Sequence, residues 1–275
     1  MSEFFLELFS EEIPAGLQKN LREKIFEDFK NLFEEKSIRS KKNFSFSTPN
    51  RLVLVFEGLD KQIKIKSKEI RGPKTSAPEQ ALEGFLRSNK INKKDLFKKK
   101  TEKDEFYFYK TVATSLKTHD LLTEFIPKIL SNYQWKKSMK WGEFDLNWGR
   151  PLKSILSIFD KKIVSFKFHH LASSNLTFLD KDFEEKKRSF ENFKKYEKFF
   201  EDNGVIINQN KRLKIINKSF LKILGKKGLK INENPKLMDE VVNLVDSPNV
   251  LLCKFDKKFL SVPKEILTLT MESHQ

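Results

Sequence analysis

Residues 3–9 read Glu-Phe-Phe-Leu-Glu-Leu-Phe, and residues 10–14 read Ser-Glu-Glu-Ile-Pro. The alternation over 3–9 predicts a strand with Phe4, Leu6 and Leu8 on one face. The next five residues predict a helix entry. Ser and acidic side chains suit the positive end of a helix, and Pro suits its first turn. Leu17, Leu21, Ile25, Phe29, Leu32 and Phe33 then repeat as one apolar stripe along a long helix.

Outward from this unit the elements keep mixing. Thr48-Pro49-Asn50 predicts a turn, and Leu52 to Phe56 a β-branched, apolar strand. Arg71-Gly72-Pro73 punctuates the next connection. Ala81, Leu82, Phe85 and Leu86 mark a short helix ending near Asn89. Asp95 to Asp104 is Lys-rich and reads as solvated, and Phe106 to Val112 reads as a strand. Leu122, Phe125, Ile126, Ile129 and Leu130 recur at helical spacing, with Pro127 as a potential kink. Two hairpins are expected. Ile155–Phe159 joins Ile163–Phe168 through Asp160-Lys161-Lys162, and Val250–Phe255 joins Phe259–Val262 through Asp256-Lys257-Lys258. Both carry the string FDKK, which reads as one turn chemistry used twice.

Asp182 to Asn234 is charged and helical in tone, with Phe183, Phe190, Phe193, Phe199 and Phe200 as anchors. Without strict βαβ alternation, the expected class is α+β. It would comprise mixed, mainly antiparallel sheets with packed helices, plus a charged helical segment. The expected organisation is an α+β region over 1–180, a helical insert or linker over 181–235, and the start of a further α/β element over 236–275. The stop at Gln275, shortly after a new element opens at Pro263, reads as a truncation.

The chain has 275 residues and a formal net charge of +16. Of its 54 basic residues, 46 are Lys and 8 are Arg. Lys, Phe, Asn and Ile all have A/T-rich codons, so compositional drift accounts for much of this excess. The total charge is therefore weak support for a polyanion partner. A single Cys, Cys253, excludes a disulfide scaffold and a Cys-based zinc site, and suggests a reducing, cytoplasmic setting. No apolar run reaches the roughly 18 residues of a membrane span, and no basic-then-apolar leader opens the chain. No membrane partner is expected.

Known chemical motifs are sparse. The four His (His119, His169, His170, His274) include no HExxH pair. His119-Asp120 resembles the dipeptide of metal phosphohydrolases, but further ligands at suitable spacing are missing, and a helix start with Asp120 as cap is the preferred reading. His169-His170 would end a strand, one facing solvent and one packing. Neither GxxxxGK with Ser or Thr nor GxGxxG occurs. Gly225-Lys226-Lys227-Gly228 has the wrong spacing for a phosphate loop. Cys253 is expected inside an apolar strand. Glu7, an acid in an apolar strand, is assigned to the exposed face of an edge strand ahead of a catalytic role. No catalytic residue and no metal ligand is assigned.

The arginines are more informative. Three of the eight abut Pro or Gly turns: Arg51 in Pro49-Asn50-Arg51, Arg71 in Arg71-Gly72-Pro73, and Arg150 in Gly149-Arg150-Pro151. A guanidinium offers a rigid fork that an ammonium lacks. Two readings stay open for each, namely contact with RNA phosphate, or a clamp on backbone carbonyls or a buried acid. Lys140-Trp141-Gly142 and Trp148-Gly149 place aromatic surface beside cations, which suits base stacking as well as core packing. Arg51, Arg71, Lys140 and Arg150 are the candidate RNA contacts.

Six stretches occur in a fixed order: FLELFSEEIPA (Phe5–Ala15), STPNRLVL (Ser47–Leu54), IRGPK (Ile70–Lys74), ALEGFLRSNKI (Ala81–Ile91), MKWG with WGRPL (Met139–Leu152), and NLVDSPNVLLCKFDKKFLSVPKEILTLTM (Asn243–Met271). The set resembles the N-terminal part of the β subunit of bacterial glycyl-tRNA synthetases. That resemblance implies a class II synthetase assembled as an α2β2 tetramer. The α subunit would form glycyl-adenylate from ATP, with Mg, so this chain would bind no cofactor itself. The β subunit would bind tRNA for glycine and assemble with α. HD-like and anticodon-binding parts would lie further downstream.

The family's Gly-His-Arg-Phe run is absent. Ser174 to Phe183 stands in its place, so no role passes to this chain from that His and Arg. The alternative reading is a stand-alone basic RNA-binding module without enzymatic activity, and a purely structural interaction domain is a third.

Overall fold

The computed structural model describes residues 2–65, 67–101, 104–179 and 187–273. It divides into two compact units, Met1–Asp60 with Leu122–Gln275, and Lys61–Leu121.

The first unit opens with β1 (Glu3–Ser10), α1 (Ala15–Glu35), β2 (Lys42–Thr48) and β3 (Arg51–Glu57). The second contains β4 (Gln62–Ile65), β5 (Glu69–Lys74), α2 (Glu79–Asn89), β6 (Leu96–Lys100), β7 (Glu105–Lys110) and β8 (Thr114–Lys117). The border between the units falls within α3 (Thr118–Asn132). The chain continues through β9 (Leu152–Phe159), β10 (Lys162–Ile163), β11 (Lys167–Phe168), β12 (Leu171–Ser174), β13 (Leu176–Phe178) and β14 (Lys187–Ser189). It ends with α4 (Phe193–Asp202), α5 (Gln209–Lys227), α6 (Pro235–Leu244) and α7 (Lys264–Ser273). The class is α+β, with sheets that are mainly antiparallel.

The strand predicted at residues 3–9 is the centre of the main sheet, ordered β11-β12-β9-β1-β3-β2, with β10 also on β9. β1 pairs antiparallel with β3 on one side and β9 on the other. Among the described residues only β12 joins this sheet in parallel, through β9. Both faces of β1 are covered, which is why its burial is continuous where alternation predicts one wet face. Phe4 meets Phe29, Phe33 and Phe56 on the α1 side. Phe5 meets Phe193 and Tyr196 of α4 on the other. The aromatic-rich composition is thus used as facing layers of rings, which bury large area per residue. The charged segment expected to be an insert or linker supplies α4. Phe193, Tyr196 and Phe200 are buried there against Val53, Val55, Leu156 and Ile158.

Lys-rich residues 96–100 form β6, paired with β7 and exposed along most of its length, in keeping with the solvated reading. Pro127 lies inside α3. The two FDKK strings, both expected as hairpins, diverge. At Phe159–Lys162 the backbone closes a hairpin, with Asp160 and Lys161 both at positive φ (49° and 66°). At Phe255–Lys258 no hairpin forms. The Asp256 side chain instead accepts the Lys258 amide at 3.0 Å and caps a 3-10 turn over Lys257–Ser261. Cys253 accordingly lies exposed outside any strand. Phe183 and His274 fall outside the described residues.

Candidate nucleic-acid interface

The four candidates divide by exposure. Arg51 is 2% exposed at the start of β3. Its register partner is Phe9 of β1, so it shares a face with Glu7, two residues earlier on that strand. The Arg51 Nε lies 3.4 Å from the Glu7 carboxylate. Its guanidinium sits between the rings of Phe9 and Phe200, 4.4 and 4.6 Å from their centroids. It also donates to the Phe178 carbonyl. The Thr177 and Tyr196 hydroxyls each donate to one Glu7 oxygen. Glu7 is therefore not on an edge strand. It is completely buried in the central strand, between two donating hydroxyls and the Arg51 guanidinium.

Burial pushes the Glu7 carboxyl above its usual range, against the opposing pull of Arg51, Thr177 and Tyr196. Burial, reinforced by the Glu7 charge, holds the Tyr196 phenol well above its ordinary value, so it remains a donor. Of the two readings of Arg51, the geometry supplies the clamp on a buried acid.

A second buried arginine gave no signal at a Pro or Gly turn. Arg212 in α5 is fully buried. It donates through Nε to Val242 O (3.0 Å), and through its terminal nitrogens to Ile206 O (2.6 Å), Ile207 O (3.1 Å) and Ser47 O (2.8 Å). One planar fork thereby ties the end of β2 to α5 and α6. Burial lowers its pKa to about 10. Nearby Arg22 of α1 donates to the Ser47 hydroxyl at 2.6 Å. The signal available for Arg212 was its type, an Arg in a helix where Lys fills most other basic positions.

Lys140 and Arg150 lie on the segment between α3 and β9. A single bridge between Met139 and Trp148 folds that segment back on itself. Trp148 is buried, and Trp135 and Tyr133 pack edge-on and tilted against it. The Trp148-Gly149 pair therefore packs as core. Lys140 is exposed and lies 3.6 Å from Asp145. Arg150 is half-buried and donates to the Gly149 carbonyl at 2.9 Å. Phe144 stacks flat on His170, with centroids 3.6 Å apart, and Trp141 stands edge-on to the same imidazole. Both His169 and His170 are exposed, so neither packs inside as expected. Partial desolvation, and to a lesser degree the neighbouring His169, lower the His170 pKa.

Gly149 is fixed by close approach. A Cβ there would lie 2.2 Å from the Trp135 ring. Gly149→Ala is expected to cost about 1–3 kcal/mol through forced displacement of that ring. A lowered urea midpoint and a shifted tryptophan emission maximum would show it, and unchanged values for both would count against the contact.

Arg71 belongs to the second unit. It is exposed, and its guanidinium lies 3.6 Å above the centroid of Phe106. Among the described residues no group of His, Cys, Asp and Glu is placed to hold a metal ion, and no helix is long and apolar enough to cross a membrane. Gly225 to Gly228 ends α5, with Gly228 in the left-handed conformation of a helix C-cap. A cavity of about 830 Å³ lies among α5, α6 and Val250–Leu252, lined mainly by apolar side chains such as Phe220, Leu224 and Met238.

Comparison with known proteins gives the same ordered match along the chain. The family model for the glycyl-tRNA synthetase beta subunit matches residues 4–275. The chain is 39% identical over 275 residues to the glycine–tRNA ligase beta subunit of Rickettsia bellii (strain OSU 85-389), covering all of this chain and 42% of that relative. It is 38% identical over 275 residues to that of Rickettsia canadensis (strain McKiel), covering 41% of it. It is 37% identical over 277 residues to that of Rickettsia felis (strain ATCC VR-1525 / URRWXCal2), covering 42%. The chain thus spans about two-fifths of the length of the curated relatives it matches. With the match running through both units and every motif quoted above, the chain belongs to the glycyl-tRNA synthetase beta subunit family.

Proposed function

We propose that this chain serves in glycine–tRNA ligase as β-subunit sequence, supporting ATP-dependent attachment of glycine to its tRNA. The observation that carries this reading is the family match over residues 4–275. Its role is tRNA binding and assembly with a catalytic α subunit, in an α2β2 complex in the cytoplasm. The described residues assemble no donor set for Mg. We assign ATP and Mg to the α subunit on the family resemblance alone, and no step through them is derived for this chain. Arg71, Lys140 and Arg150 are the proposed tRNA contacts: Arg71 and Lys140 are exposed, and Arg150 is half-buried. Arg51 holds the fold instead.

The test is glycylation. The gene product purified with its α subunit should transfer radiolabelled glycine to glycine tRNA, and α alone should not. Affinity for tRNA should fall steeply with salt, since each neutralised phosphate releases counterions. Charging by α alone at the rate of the complex would overturn the reading.

A further inference from the structure

The net charge is not spread evenly. Residues 61–121 hold sixteen Lys and Arg against eight Asp and Glu, a net 16 − 8 = +8. Half of the excess of the whole chain thus falls on 61 of its 275 residues. Codon drift alone does not place charge this way.

Within this unit β5, β7 and β6 form an antiparallel sheet in that order. Register decides what each face carries, because opposed residues share a face. Phe108 lies between Arg71 and Phe97, and Phe106 lies between Lys74 and Lys99. Glu69 lies opposite Lys110. One face therefore presents aromatic rings in the middle and cations along both flanks. Gly72, next to Arg71, turns to the other face. Phe85 of α2 sits about 3.0 Å from where a Cβ on Gly72 would be. That face is the one α2 occupies.

This face is open at Phe97, while Phe106 is buried beneath the Arg71 guanidinium. Phe97 is 37% exposed and stacks on Phe108, with centroids 6.0 Å apart and planes at 28°. Arg71, Lys74, Lys99 and Lys110 are exposed. Lys99 lies 5.6 Å over the Phe108 ring and bonds Glu69 at 2.9 Å, and Lys74 lies 2.7 Å from Asp104. Among the described residues Arg71 has no carboxylate partner; its guanidinium carbon lies 3.6 Å from the Phe106 ring centroid.

We infer that the open face of the β5-β7-β6 sheet is a platform for unpaired bases of RNA, with Phe97 and the Arg71 plane as stacking surfaces and Lys99, Lys110 and Lys74 on the phosphates. Unstacked bases present π-faces to aromatic and guanidinium planes, and the backbone beside them is anionic. A duplex is read by its grooves and shape, for which a flat aromatic sheet is the wrong form. This inference rests on the tRNA-binding reading above and names a surface for it.

The test uses the 275-residue chain, a glycine tRNA transcript and a 12-nucleotide oligouridine, with fluorescence anisotropy over a salt series. Phe97→Ala should weaken binding to both RNAs by about tenfold or more, without changing the salt slope. Phe97→Leu, which keeps apolar contact with Phe108, should weaken it as well, and so should Arg71→Lys, which keeps the charge but loses the plane. Lys99→Ala with Lys110→Ala should flatten the slope by about two. Wild-type affinity in both Phe97 variants, with an unchanged thermal midpoint, would overturn the inference. Loss of assembly with the α subunit at unchanged RNA affinity would also overturn it, by making the face a protein interface. Those two results leave the family function standing, provided the assembled wild type still charges tRNA. Failure of the wild type to charge would instead strike at the function itself.

Discussion

Replacing Glu7 by Ala is expected to destabilise the chain by about 3–5 kcal/mol. The substitution leaves the Arg51 guanidinium, 2% exposed, without its carboxylate. It also leaves the Thr177 and Tyr196 hydroxyls without the acceptor they share. An uncompensated charge in a low-dielectric site is what makes breaking such a pair so costly. Arg51→Ala should cost a similar amount at neutral pH, because Glu7 would then be buried as an unpaired charge or have to take up a proton. The double variant Glu7→Leu with Arg51→Met should cost clearly less than the two single changes together, since each removes the reason the other is needed. Urea unfolding of the 275-residue chain measures all three, and simple additivity would refute the pairing.

The pH dependence has a definite sign. The folded-state pKa of Glu7 is raised above the ordinary 4.5, chiefly by burial. A raised acid contributes stability that is fully present below the unfolded value and is lost as pH rises through the folded value. Removing Arg51 takes away a pull that lowers the folded value, so that value climbs further. Arg51→Ala should therefore be closer to wild type at pH 4 than at pH 7. A deficit that grows on acidification would contradict this.

The strand at residues 3–9, the helix after it and the strand at 52–56 were legible because their apolar spacing is regular and local. Glu7 was misread for a physical reason. An acid in an apolar strand suggests an exposed face until its partners are known. Those partners come from Arg51, Thr177 and Tyr196, up to 189 positions away in the chain. The FDKK strings make the same point on a smaller scale. Their four residues are identical, yet only one copy is held beside β1 in the main sheet, and there Asp160 takes a positive φ. The other copy lacks that support, and its Asp caps a 3-10 turn through its own side chain. Turn chemistry is permissive, and tertiary pairing chooses among the permitted forms. Arg51 and Arg71 show the limit for the site. Both abut turns, both were equal candidates, and only burial separates the clamp from the exposed cation on Phe106.

Arg212→Ala is the second large expected loss, again about 3–5 kcal/mol. The side chain is fully buried and donates to four carbonyls from three parts of the chain: Ser47, Ile206 with Ile207, and Val242. These acceptors would lose their donor, and each buried carbonyl left unsatisfied costs about 1–3 kcal/mol, less where water enters the space. Arg212→Lys tests geometry apart from charge. One ammonium cannot reach acceptors arranged around a planar fork, so it should recover only part of the loss. The alternative is that Arg212 matters through charge alone, with Asp246 favouring its cationic form and Arg22 opposing it. In that case Arg212→Lys would unfold at the wild-type urea concentration. A midpoint between those of wild type and Arg212→Ala identifies the fork as what joins β2, α5 and α6. That join also holds the end of α6 next to α1, where the Gln18 amide donates to Asn243 O at 2.8 Å. Gln18→Ala should therefore cost less in the Arg212→Ala background than in wild type, because the first loss has already loosened the helix that the second depends on.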